Sequence, residues 1–83
     1  MSAPRQAWDY KILMFVTASI DLADTRGPAL YEDGKQVPVP RDTTNMLPRI
    51  KELGDDGWEL VTVSQVPGTE GRWQFRYYFK RPK

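Results

Sequence analysis

Three stretches of the 83-residue chain alternate with the two-residue rhythm of β-strands. In the first, Trp8 to Val16, the residues Trp8, Tyr10, Ile12, Met14 and Val16 fall on one side, and Asp9, Lys11, Leu13 and Phe15 on the other. The second half of this run is apolar on both sides, which predicts cover on both faces. In the second stretch, Trp58 to Val66, the residues Trp58, Leu60, Thr62, Ser64 and Val66 alternate with Glu59, Val61, Val63 and Gln65. In the third, Arg72 to Arg81, the row Trp73, Phe75, Tyr77 and Phe79 alternates with Gln74, Arg76, Tyr78 and Lys80, and Pro82 ends the run. Pro67-Gly68-Thr69-Glu70-Gly71, between the last two, has the composition of a hairpin loop.

One stretch has helical spacing instead. Met46, Leu47, Ile50 and Leu53 form a single apolar stripe, with Arg49, Lys51 and Glu52 outside it. Asp42-Thr43-Thr44-Asn45 offers several N-caps, and Pro48 is tolerated only in a first turn, so the helix is predicted to start near Thr44 or Asn45. Gly54 or Gly57 is predicted to close it with a positive φ, within the stretch Leu53-Gly54-Asp55-Asp56-Gly57-Trp58-Glu59-Leu60-Val61. Residues 17–44 have no clear period, but Ala29-Leu30-Tyr31-Glu32 and Lys35-Gln36-Val37-Pro38-Val39 flank Asp33-Gly34. Asp-Gly between two short extended runs signals a type I′ hairpin turn, and Pro38 and Pro40 confine the second arm to an edge. A small exposed hairpin or flap is predicted there.

These elements predict an α+β domain spanning residues 1–83: a three-stranded antiparallel sheet with one helix packed on one face, in the order β-α-β-β, plus a small hairpin insert between the first strand and the helix. Trp73, Phe75, Tyr77 and Phe79 are expected to pack under the helix. Leu13, Phe15 and Tyr78 are expected on the opposite, open face.

Composition narrows the chemistry. The chain has no Cys and no His. That removes disulfides, thiol nucleophiles, imidazole bases and the common transition-metal ligands. Ser2, Ser19 and Ser64 lack a nucleophile-elbow context, and Gly68 to Gly71 lacks the Gly-Lys-Ser/Thr of a phosphate loop. Asp21 and Asp24 have no third carboxylate with which to form a magnesium site, and Asp55 and Asp56 read as turn chemistry. The expectation is a protein that is not an enzyme and needs no metal or cofactor. A chain this short has a thin core, and oligomerisation is the reinforcement left open to it. The segment from Met1 to Arg5 is too short and polar for a signal peptide, and the longest apolar run, Ile12 to Val16, falls far below the ~20 residues of a membrane helix. A soluble, cytoplasmic protein is expected.

The net charge of +1 hides an asymmetry: residues 72–83 carry +5 and residues 1–71 carry −4. The basic end also holds half of the aromatic residues, which makes it a candidate binding surface.

Trp8-Asp9-Tyr10-Lys11, the Leu53 to Val61 stretch and Tyr78-Phe79-Lys80-Arg81 together cover about half the chain. In this order they resemble a family of small bacterial domains of unknown function. Its members begin Trp-x-Tyr-Lys, carry a Leu-Gly-x-x-Gly-Trp-Glu-Leu-Val core and close on an aromatic strand ending Tyr-Phe-Lys-Arg. The resemblance implies a β-α-β-β fold and brings no catalytic residues. The chain departs from the shortest such domains in its longer Thr17 to Arg41 segment.

Two functional expectations follow. The first is a non-enzymatic module that self-associates as a two-fold dimer through an open sheet face bearing Leu13, Phe15 and Tyr78, serving as an interaction or ligand-sequestering protein. The second is single-stranded nucleic-acid binding through Arg72, Arg76, Tyr78, Lys80 and Arg81, a reading that the overall charge of +1 weakens.

Overall fold

The computed structural model describes residues 7–19, 26–68 and 71–83. In chain order the elements are β1 (Trp8–Val16), β2 (Ala29–Glu32), β3 (Lys35–Val37), α1 (Leu47–Asp55), β4 (Glu59–Pro67) and β5 (Trp73–Pro82). Readings that fell on residues 1–6, on Asp21 and Asp24, and on Thr69 and Glu70 lie outside the described residues. No described helix is long and apolar enough to cross a membrane.

All five strands join one antiparallel sheet in the order β3-β2-β1-β5-β4. This corrects the expected three-stranded sheet with a separate hairpin insert. The Asp33-Gly34 turn forms as its sequence predicts, with positive φ at both residues (51° and 84°). The hairpin it closes does not stand apart. β2 pairs along β1, placing Tyr31 opposite Met14 and Leu30 opposite Phe15. Asp33 locks this register from the turn. Its N–H donates to the Ile12 carbonyl (2.9 Å), its Oδ1 accepts from the Ile12 N–H (2.9 Å), and Lys11 Nζ reaches its Oδ2 (3.1 Å). The hairpin thus occupies the edge of β1 that three strands alone would have left bare.

Asn45 Oδ1 accepts the Leu47 N–H (2.9 Å) at the start of α1. The end of the helix settles between the two candidate glycines. Gly57 has φ +89°, its N–H donates to the Gly54 carbonyl (3.0 Å), and the Trp58 N–H donates to the Leu53 carbonyl (2.9 Å). This is the paired hydrogen bonding of a Schellman cap, with Gly57 in the left-handed position and Trp58 thrown back over Leu53. At nine residues, α1 is too short to be stable alone and depends on its seat.

That seat is the buried cluster Leu13, Phe15, Leu30, Met46, Leu53 and Phe79, flanked by Ile50, Trp58, Phe75 and Tyr77. Fully burying one such side chain is worth about 1.5–3 kcal/mol. Leu30, and the partly buried Val37 and Val39, bring the hairpin and the segment after it into this core. An ion pair ties the hairpin to α1. Arg49 Nη2 and Nε donate to the two oxygens of Glu32 (2.7 and 3.1 Å), while Arg49 Nη1 meets Glu52 (2.9 Å). The Glu32 hydrogen bonds, outweighing partial burial, raise the Arg49 pKa above its ordinary value.

The register also corrects the expected faces of β1. Leu13 pairs with Tyr77 and Phe15 with Phe75, so both share the helix side with the aromatic row of β5. Leu13 is 0% and Phe15 1% exposed. They are core residues and are absent from the open face. Trp73, expected under the helix, is 43% exposed.

Candidate functional site

The open face is built from the other residue set of the two central strands. Cross-strand pairing places Ile12 beside Tyr78, Met14 beside Arg76, and Tyr10 beside Lys80. β2 adds Tyr31 next to Met14. Residues directly opposite in an antiparallel pair lie on the same face, so these side chains form one surface. Tyr10 is its most exposed member, at 72%. At the end of the same face, Lys80 Nζ lies 4.3 Å from the centre of the Trp8 ring.

Where β2, β1 and β5 meet, the surface dips into a concavity of about 320 Å³. Ile12, Met14, Tyr31, Gly34, Arg76 and Tyr78 line it. The volume falls at the small end of the range for ligand sites, and the lining is largely apolar with one charged group, Arg76. Arg76 forms no ion pair or hydrogen bond among the described residues. The cleft thus combines phenol rings, a thioether floor and an uncompensated guanidinium. It can stack against a planar ring and meet a negative charge beside it.

Of the five residues expected to bind nucleic acid, the structure brings Arg76, Tyr78 and Lys80 together on this face. The other two are engaged elsewhere. Arg72 donates to the Thr17 carbonyl through Nε (2.9 Å) and to the Gly27 carbonyl through Nη2 (2.9 Å), tying down the ends of the segment between β1 and β2. Arg81 donates through Nη1 to the Asp56 carbonyl (3.1 Å) and to Asp56 Oδ2 (3.2 Å), and stacks on Trp58 at 4.2 Å. The residues that sequence reasoning missed are Tyr10, Ile12, Met14 and Tyr31. For the first three the signal was present, since they share one side of the β1 alternation; Tyr31 could be placed only once β2 was known to pair with β1.

A second cation–aromatic cluster lies on the covered face. Trp58 has Arg81 on it and Lys11 Nζ 5.4 Å from its ring. Here each cation has its own anion: Asp56 for Arg81 and Asp33 for Lys11. Burial resists ionisation of Asp33, but the Ile12 N–H and Lys11 outweigh it and hold the carboxyl below the usual range. Burial alone pushes the Tyr77 phenol up. This cluster is a corner post: it fastens the end of α1 to β1 and β5. A larger hollow of about 530 Å³ lies between α1 and the segment after β3. Its charged lining, Glu32, Arg49 and Glu52, is mutually paired, which leaves no charge there to orient a ligand.

No family model matches this chain, and no curated protein or solved structure is found to be similar to it.

Proposed function

We propose that this protein is a non-enzymatic binding module whose open sheet face holds single-stranded nucleic acid. The supporting observation is the row on that face: Tyr31, Arg76, Tyr78, Lys80, Tyr10 and Trp8, with aromatic rings interleaved with cations across three adjacent strands. Stacking a base on an aromatic side chain contributes about 1–3 kcal/mol and tolerates any base, since every base has a π-face. Arg76, with no competing anion, is placed to meet a phosphate. On the covered face the cations beside Trp58, Arg81 and Lys11, are already paired with Asp56 and Asp33. The chain lacks His and Cys, and the lining of the cleft contains no carboxylate and no amine, so the site favours holding a ligand over transforming it.

Two cations on this face imply a modest salt dependence. For a single strand the slope of log affinity against log salt is about −0.7 per phosphate contacted, so affinity falls about 7-fold between about 50 and 200 mM salt. The test is fluorescence anisotropy of a labelled oligonucleotide at both salt concentrations. Tyr78→Ala is expected to weaken binding about 10-fold, and Arg76→Ala to reduce the salt slope by about 0.7. An oligonucleotide that stays unbound at low salt and high micromolar protein would sink the reading.

A further inference from the structure

The two edges of the sheet are treated very differently. β3 is three residues long, begins at Lys35 and runs into Pro38 and Pro40. Short length, lysine and proline are the means by which natural sheets discourage pairing at an edge. β4 has nine residues, one ionisable side chain (Glu59) and no proline before its last position, Pro67. Its one irregularity is the register shift between Leu60 and Thr62, which leaves Val61 as an extra residue near the start. From Thr62 to Pro67 the pairing with β5 advances one residue at a time, so six positions present a regular outer edge.

The apolar side chains of β4 are also left largely exposed among the described residues. No β4 residue belongs to the buried cluster. Leu60, Val61 and Val63 are 39%, 54% and 45% exposed, and Trp73 of the neighbouring strand 43%. Two needs therefore coincide at one place: a row of backbone groups with no partner strand among the described residues and an apolar strip beside it. An arbitrary extended peptide would answer the first; a second β4 answers both.

We propose that a second copy of this chain pairs antiparallel with β4 about a two-fold axis through Val63, making one continuous sheet of ten strands. This arrangement sets Val63 against Val63 of the second copy and Thr62 against its Ser64, and leaves the Leu60–Val61 irregularity of each copy at a flank of the pairing. Charge favours the antiparallel sense. Glu59, the only ionised group on the strand, falls at opposite ends of the seam, whereas parallel pairing would stack Glu59 on Glu59. Antiparallel pairing keeps like faces together, so both helices stand on one side and the two open faces merge on the other.

The experiment is sedimentation velocity on the full chain from low to high micromolar concentration, with two variants. The wild type is expected at twice the chain mass. Val63→Lys, which sets ammonium against ammonium at the axis, is expected at the single-chain mass with an unchanged circular dichroism spectrum. Tyr10→Lys, on the open face, is expected to remain a dimer. Amide exchange on the wild type gives a second readout that needs no variant: alternate amides between Thr62 and Val66 should gain protection as concentration rises. A wild type that stays at single-chain mass overturns the proposal, as does a dimer that Val63→Lys leaves intact. Oligonucleotide binding is read separately and bears on neither outcome.

Discussion

The two faces of the sheet use the same side-chain chemistry to opposite ends. On the covered face Trp58 is held by Arg81 and Lys11, and both cations are neutralised by aspartates. On the open face Tyr31 and Tyr78 flank Arg76, which has no anion among the described residues. Arg76 and Arg81 lie five positions apart on β5, and an odd spacing puts them on opposite faces. A cation beside an aromatic ring is therefore not by itself the mark of a site. What distinguishes the two places is whether the charge is already answered within the chain.

The largest expected effect tests which face is core. Phe15→Glu puts a carboxylate where the side chain is 1% exposed and should cost more than about 4 kcal/mol, enough to abolish the cooperative urea transition followed by circular dichroism. Tyr10→Glu, on the same strand but the opposite face, should stay within about 0.5 kcal/mol of wild type. The reverse order of effects would mean that the faces are exchanged. The next largest separates the two arginines. Arg81→Ala loses the stacking on Trp58 and the bonds to Asp56, and is expected to lower stability by about 1 kcal/mol with oligonucleotide binding unchanged. Arg76→Ala should do the reverse, leaving the urea midpoint in place and weakening binding.

The smallest effect concerns pH. The Asp33 carboxyl has a folded pKa below its unfolded value of about 3.9. Its contribution to stability is therefore complete above the unfolded value and is lost as pH falls through the lower, folded one. Asp33→Asn tolerates the left-handed turn but does not titrate. Its thermal midpoint should fall less steeply than that of wild type below about pH 4. Parallel curves would show that the turn carboxylate contributes no pH dependence.

Much of this architecture could be read in the sequence. β1 occupies the stretch its alternation marks, β4 and β5 differ from theirs by one residue at each end, and the Asp33-Gly34 turn and the Gly57 cap follow from local backbone chemistry. What could not be read was long-range. β1 is apolar on both sides, so periodicity could not say whether Leu13 and Phe15, or Ile12 and Met14, face the helix. That choice is made by the register against β5, 64 residues away at the Leu13–Tyr77 pair. The docking of the hairpin on β1 is equally non-local: it depends on the Asp33 carboxylate reaching Ile12, which no spacing within 17–44 announces. The cleft inherits both uncertainties, because its walls come from β2, β1 and β5. The three motifs that carry the resemblance to small bacterial domains do converge in space: Lys11 and Arg81 stand beside Trp58.

The central pairing of β1 with β5 also has a consequence in time. Its strands meet across a separation of 64 residues at the Leu13–Tyr77 pair, and closing a loop of that length costs about 4 kcal/mol of chain entropy before any core contact compensates. The β2–β3 and β4–β5 hairpins can close locally within microseconds. The core under α1 cannot assemble until β5 finds β1, because Phe79 and Leu13 enter it from strands far apart in the sequence. Folding should therefore be a late, all-or-none event on the millisecond-to-second scale typical of non-local sheets. During synthesis β1 must wait for more than sixty further residues before it has its central partner.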